Sequence, residues 1–162
     1  MGSVLHTPRL ELELLEPDHA RALAAGVNPN GHCWASGYPL GSTLLCAELT
    51  AAAAARATPL GEFGTYQVVR RADGCVIGDV GFMGPPDDTG AVLLGVAITE
   101  DARGQGYATE ALHVLLEWAR GQSGLVCVLA DTTRSNLASQ RLLERVGMRR
   151  IGEDGELLYY ML

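Results

Sequence analysis

The chain has 162 residues, enough for one domain spanning 1–162 with a real core. Apolar residues make up 48% and charged residues 19%, a balance that excludes an extended disordered chain. A formal charge of −7 argues against a general nucleic-acid binder, and no apolar run reaches the roughly 18 residues of a membrane span. The N-terminus also lacks a signal-peptide core, so a cytoplasmic protein is expected. Leu10, Leu12 and Leu14 alternate with Glu11 and Glu13, the pattern of a half-buried strand. Pro17-Asp18 opens a short helix that runs out near Gly26. The turn-rich stretch Asn28–Gly41 holds His32, Trp34 and Tyr38, which either line a substrate pocket or pin the loop to the core. Ser42 or Thr43 caps a second helix over Leu44–Arg56, where five consecutive alanines favour helix and Pro59 and Gly61 end it.

Phe63–Arg71 and Cys75–Met83 flank Ala72-Asp73-Gly74, a hairpin signal. Gly84–Asp88 turns the chain into a strand over Ala91–Ile98. A third helix covers about Gly106–Arg120, with Ala108, Leu112, Leu115, Leu116 and Ala119 on one face. Leu125–Ala130 is a short apolar run expected as a buried strand. Asn136 opens a fourth helix through Val146, and Gly147 stops it. Met148–Gly152 and Glu156–Leu162 pair around Asp154-Gly155. Cys33, Cys46, Cys75 and Cys127 are scattered without a CxxC pair or clustered histidines. Neither a metal site nor a disulfide framework is expected, and Cys75 and Cys127 read as core residues.

The most informative segment joins the Ala91–Ile98 strand to the third helix through Arg103-Gly104-Gln105-Gly106-Tyr107-Ala108. The first N–H groups of a helix lack internal partners, and its dipole favours an anion there. Gly104 and Gly106 allow close approach to the backbone, so the loop reads as a pyrophosphate cradle. No Gly-Lys-Ser/Thr closes it, and Ala108 stands where a dinucleotide fingerprint needs a third glycine.

With this loop in place, the chain resembles the GNAT superfamily of N-acetyltransferases, in particular its RimJ/RimL-like branch. The hexamer matches the acetyl-CoA motif Q/R-x-x-G-x-G/A. Thr7-Pro8-Arg9-Leu10-Glu11-Leu12 is similar to the opening of that branch, and Ile77-Gly78-Asp79-Val80-Gly81-Phe82 to its third strand. The run Asn136 to Met148 is similar to its N-x-x-S helix. The resemblance implies an α+β fold: a mixed, mostly antiparallel central sheet of about 6–7 strands with about 4 helices, splayed at a central parallel pair. Acetyl-CoA would lie in that splay, its pantetheine beside Val96 and Ile98 and its pyrophosphate on the loop. Asn136 would cap its helix, bond the pantetheine arm, or do both. By resemblance Ser139 would donate a proton to the departing thiolate, and Arg103, Arg134 and Arg141 are candidates for phosphate contacts.

The reaction implied is direct attack of a primary amine on the thioester, with no covalent enzyme intermediate and no metal. The backbone N–H of Val96 would polarise the carbonyl. The branch often carries an acid where this chain has Leu93, so a base must come from Asp79, Glu62, His32 or a water chain. A small amine and a protein N-terminus are both open as acceptors, with the turn-rich lid favouring a small molecule. Homodimerisation follows from the resemblance alone. The alternative is an acyl-CoA-sensing domain of the same fold without catalysis.

Overall fold

The computed structural model describes residues 3–162. Nine strands form one sheet, with the order β1-β2-β4-β5-β6-β7-β9-β8 and β3 paired beside β5. In chain order the elements are β1 (Val4–His6), β2 (Leu10–Leu14), α1 (Pro17–Ala24), β3 (Cys33–Trp34), α2 (Gly41–Ala55), β4 (Thr65–Arg70), β5 (Cys75–Phe82), β6 (Ala91–Ile98), α3 (Tyr107–Arg120), β7 (Cys127–Thr133), α4 (Leu137–Arg145), β8 (Arg149–Asp154) and β9 (Leu157–Met161). All neighbouring pairs on the main path are antiparallel except β6 and β7. The expected mixed sheet and four helices are present, while β1 and β3 raise the strand count from about seven to nine.

One face of the sheet carries the principal core. Ala111, Leu112, Leu115, Leu116 and Ala119 of α3 pack over Leu10, Leu12, Tyr66, Val68, Val80 and Phe82. Ala108, expected in that stripe, is only partly buried and borders the cleft described below. On the opposite face α1 and α2 enclose a smaller cluster of Leu15, Ala20, Leu23 and Ala47, joined by Trp34. Alternation along β4 and β5 serves both layers: Val80 faces the principal core while Asp79 meets Thr43 of α2.

Several boundaries shift from the sequence reading. The second helix starts at Gly41, and Thr43 lies inside its first turn, accepting the Leu40 N–H at 3.1 Å rather than capping as the first residue. The seventh strand runs Cys127–Thr133 instead of Leu125–Ala130, because pairing with β9 over Leu129–Thr133 extends it beyond the apolar run. The expectation of unpaired cysteines is corrected: Cys33 and Cys75 form a disulfide. The two-residue strand β3 lies parallel to β5 in the register Cys33↔Cys75 and brings the two Cα atoms to 4.3 Å. A separation of 42 residues hides that proximity from any local pattern. Cys75 is buried as expected, but Cys127 is only half-buried.

Candidate active site: a cleft at the parallel pair

Strands β6 and β7 begin together and then part. They pair only over Ala91–Leu93 and Cys127–Leu129, although β6 continues to Ile98 and β7 to Thr133. Beyond Leu93 the β7-facing edge of β6 has no strand partner. The register with β5 decides which groups are left over. Leu93 accepts from Met83 at 3.0 Å and Thr99 donates to Ile77 at 2.9 Å, so odd-numbered β6 residues spend their peptide groups on β5. Val96 and Ile98 therefore turn theirs toward the gap. The Ile98 carbonyl is taken by Arg103 Nε at 2.9 Å. What remains on the open edge is a donor and acceptor at Val96 and a donor at Ile98, a ready partner for an extended ligand carrying amides.

The gap widens into a cleft of about 670 Å³. Val96, Ala97 and Ile98 form one wall, Gly104, Gly106, Tyr107 and Ala108 one end, and Asn136, Ser139, Arg141 and Arg145 of the α4 segment the other wall. Gly104 and Gly106 have φ of +73° and +82°, the left-handed conformation that favours glycine. Gly106 immediately precedes α3, so the loop delivers the chain to a helix N-terminus within the cleft. Glycine is also required beside this wall at Gly78, where a Cβ would lie 2.2 Å from the Ala97 carbonyl oxygen.

Asn136 caps α4, its Oδ1 accepting the Ser139 N–H at 3.1 Å. The bond leaves the Asn136 amide NH2 and the Ser139 hydroxyl free of it, and both residues line the cleft from the same helical turn. Arg103, Arg141 and Arg145 line the cleft, and none of its lining residues is acidic. The site thus offers cations, backbone donors and hydroxyls to an anionic ligand.

Other residues singled out in the sequence lie elsewhere. Gln105 does not line the cleft: its carbonyl meets Arg9, and its side-chain amide bonds the Asp101 carbonyl. Arg134 pairs with Glu153 at 2.7 Å and bonds the Gly155 carbonyl. His32, Trp34 and Tyr38 are outside the cleft lining. Tyr38 is buried, Trp34 meets it edge-on with centroids 5.8 Å apart, and His32 contacts Glu13 at 2.9 Å. Glu62 is exposed in a 3₁₀ turn that accepts the Tyr66 hydroxyl on its carbonyl.

Asp79 is buried on the α2 side of β5, directly opposite Ala97. Tyr38 donates to one of its oxygens at 2.9 Å and Thr43 to the other, while Gln67 donates to Tyr38 at 2.9 Å. Burial raises the Asp79 pKa to about 6, against the pull of those two hydroxyls. Burial, with the nearby Asp79 charge, likewise pushes the Tyr38 phenol upward. The carboxylate ties the loop before α2 to the sheet.

Sequence reasoning missed Ala97, Ala102, Thr109, Ala138, Leu142 and Arg145 as cleft residues. Arg145 had a signal: it lies four residues after Arg141, hence on the same helical face.

The comparisons with known proteins agree with this architecture. Residues 9–149 match the family model for the acetyltransferase (GNAT) domain, and the chain belongs to that family. The uncharacterized N-acetyltransferase YjdG of Bacillus subtilis is 32% identical over 85 residues, 52% of this chain and 51% of that protein. The chain thus matches about half the length of this relative. Among solved structures, the ribosomal L7/L12 alpha-N-protein acetyltransferase RimL in complex with coenzyme A superimposes with a TM-score of 0.71. It is 16% identical, with coverage of 99% of this chain and 97% of that one. The ribosomal-protein-S5-alanine acetyltransferase of Vibrio fischeri gives 0.70 at 14% identity, covering 99% and 96%. At these identities the structural matches speak for the fold.

Proposed function

We propose that the chain is an acetyl-CoA-dependent N-acetyltransferase acting on a primary amine, of the RimJ/RimL-like kind. One observation carries the reading: the unpaired edge of β6 at Val96 and Ile98 runs straight into the glycine loop and the α3 N-terminus. A thioester on a pantetheine arm with a diphosphate at its far end needs amide partners and then anion donors, in that order along a line.

Acetyl-CoA bound there would supply the activated acetyl group. The Val96 N–H would hold the thioester carbonyl, and the N–H groups of the loop and first α3 turn would take the diphosphate. Arg103, Arg141 and Arg145 would offset the remaining phosphate charge. The Asn136 amide would fix the arm, and the Ser139 hydroxyl would protonate the departing sulfur. Asp79, with both oxygens engaged on the other side of the sheet, would act by holding the acceptor-side loop. The amine's proton would then leave through water. The absence of an acid from the cleft lining and the presence of Leu93 on β6 favour one second reading, a domain that binds acyl-CoA without turning it over.

Release of free thiol from acetyl-CoA, followed over a panel of small amines and of peptides with free N-termini, tests the proposal. Turnover with at least one acceptor is expected, and Ser139→Ala should lower the rate by about tenfold or more while leaving CoA affinity within about twofold. Saturable CoA binding without turnover on any acceptor would favour the sensing domain.

A further inference from the structure

The short segment Thr7–Arg9 lies between β1 and β2, outside the cleft lining, and meets the glycine loop and the first turn of α3. It is anchored by hydrogen bonds at both ends. The Thr7 carbonyl accepts Arg71 Nη1 at 3.1 Å, the Arg9 carbonyl accepts the Arg71 N–H at 2.9 Å, and the Thr7 hydroxyl donates to Glu110. From this anchored turn the Arg9 side chain reaches across to the loop.

Arg9 makes four contacts there. Its Nε donates to Glu110 Oε2 at 2.6 Å, and its backbone N–H to Glu110 Oε1 at 3.0 Å. Nη1 donates to the Gln105 carbonyl at 2.9 Å, and the guanidinium lies 4.5 Å above the centre of the Tyr107 ring. Nη2 approaches Gly106 so closely that a Cβ there would sit 3.4 Å away. A single side chain thus touches Gln105 of the loop and both Tyr107 and Glu110 in the first turn of α3.

Two physical consequences follow. The Gln105 carbonyl and the Gly106 N–H belong to one trans peptide and point in opposite directions. Arg9 lies outside the cleft lining and Gly106 inside it, so holding that carbonyl aims the Gly106 N–H away from Arg9 and toward the cleft. The second consequence concerns charge. Glu110 sits in the first turn of α3, where a carboxylate competes with any anion for the positive end of the helix. Burial pushes its carboxyl up, but the hydrogen bonds from Thr7 and Arg9 outweigh this and bring it below the ordinary glutamate range. It is therefore an anion that Arg9 must offset.

We infer that Arg9 is a positioning residue for the diphosphate site: it aims the Gly106 N–H into the cleft and neutralises Glu110, which would otherwise repel the phosphates. This inference rests on the reading of the cleft as a CoA site. It adds a role for a side chain that lies outside the cleft lining.

Calorimetric titration of CoA into purified variants tests it, with thermal melts as the check on folding. Arg9→Ala should weaken CoA binding on the order of tenfold, the effect of losing charge-assisted hydrogen bonds. Adding Glu110→Gln to that variant should recover about two- to fivefold, because the unpaired carboxylate is gone while the Gln side chain still accepts from Thr7. A purely structural strut predicts the reverse, since a second anchor has been weakened. Arg9→Lys keeps the charge but cannot hold Glu110 and the Gln105 carbonyl with one planar fork, so an intermediate loss is expected; it also carries the test if Arg9→Ala does not fold. Unchanged affinity in a folded Arg9 variant, or a double variant weaker than Arg9→Ala alone, would overturn the inference. Failure of the wild-type chain to bind CoA would instead remove the functional reading beneath it.

Discussion

Asp79 lies one strand away from the open edge of β6, and both of its oxygens are occupied by hydroxyls from the loop and helix above it. Its folded pKa of about 6 stands above the ordinary 3.8. Between those values the folded chain binds more protons than the unfolded chain, so this group's contribution to stability falls as pH rises from about 4 to about 6. Acidifying from pH 7 to pH 5 should therefore stabilise the wild-type chain relative to Asp79→Asn by about 1 kcal/mol. Asp73, Asp87 and Glu110 are shifted downward, and their opposite effect falls at more acid pH, below this window. Urea melts of both proteins at the two pH values give the comparison. Parallel pH slopes would show that Asp79 does not titrate as a buried group. At this scale the sequence marked Asp79 correctly as an acid in an apolar strand, but the face it occupies depends on register, which only the pairing with β4 and β6 settles.

At the scale of elements, legibility followed length and periodicity. Helix α3 and strands β2, β5 and β6 were read within a few residues because each carries a sustained pattern of period 3.6 or 2, or a buried run bounded by turns. Strands β1 and β3, of three and two residues, are too short to show any period and exist only through their partners. The Cys33–Cys75 disulfide depends on β3 and was illegible for the same reason. It closes a loop of 42 residues that contains the turn before α2, α2 itself and β4. Replacing both cysteines with serine should lower stability by about 3 to 4 kcal/mol, the loop-closure value for that length. Denaturant melts under non-reducing conditions measure this, and a midpoint equal to that of the wild type would show that the bridge contributes nothing. The cleft residues were legible where a motif has a backbone reason, as at Gly104, Gly106 and Asn136. The aromatic residues His32, Trp34 and Tyr38 gave no such reason, and the structure packs them against the core and a neighbouring carboxylate.

Over the whole molecule, charge and topology converge on one place. The chain carries a net charge of −7, yet the side chains that ionise along the cleft are arginines. Such an arrangement draws an anionic ligand to the parting of β6 and β7 while the remaining surface repels it. Among the described residues no helix is long and apolar enough to cross a membrane. The parting lies on one edge of β7 only: its other edge stays paired with β9 through Thr133, while the end of β6 has no strand neighbour on that side. The proposed function requires that this open edge and its glycine loop hold CoA. Calorimetry of CoA against the wild-type chain and Gly106→Val addresses it directly. One-to-one, saturable binding that weakens with added salt is expected for the wild type, with a loss of about tenfold or more in the variant, whose side chain cannot adopt φ of +82° without strain. No heat from the wild type, or equal affinity in a folded Gly106→Val protein, would contradict the account.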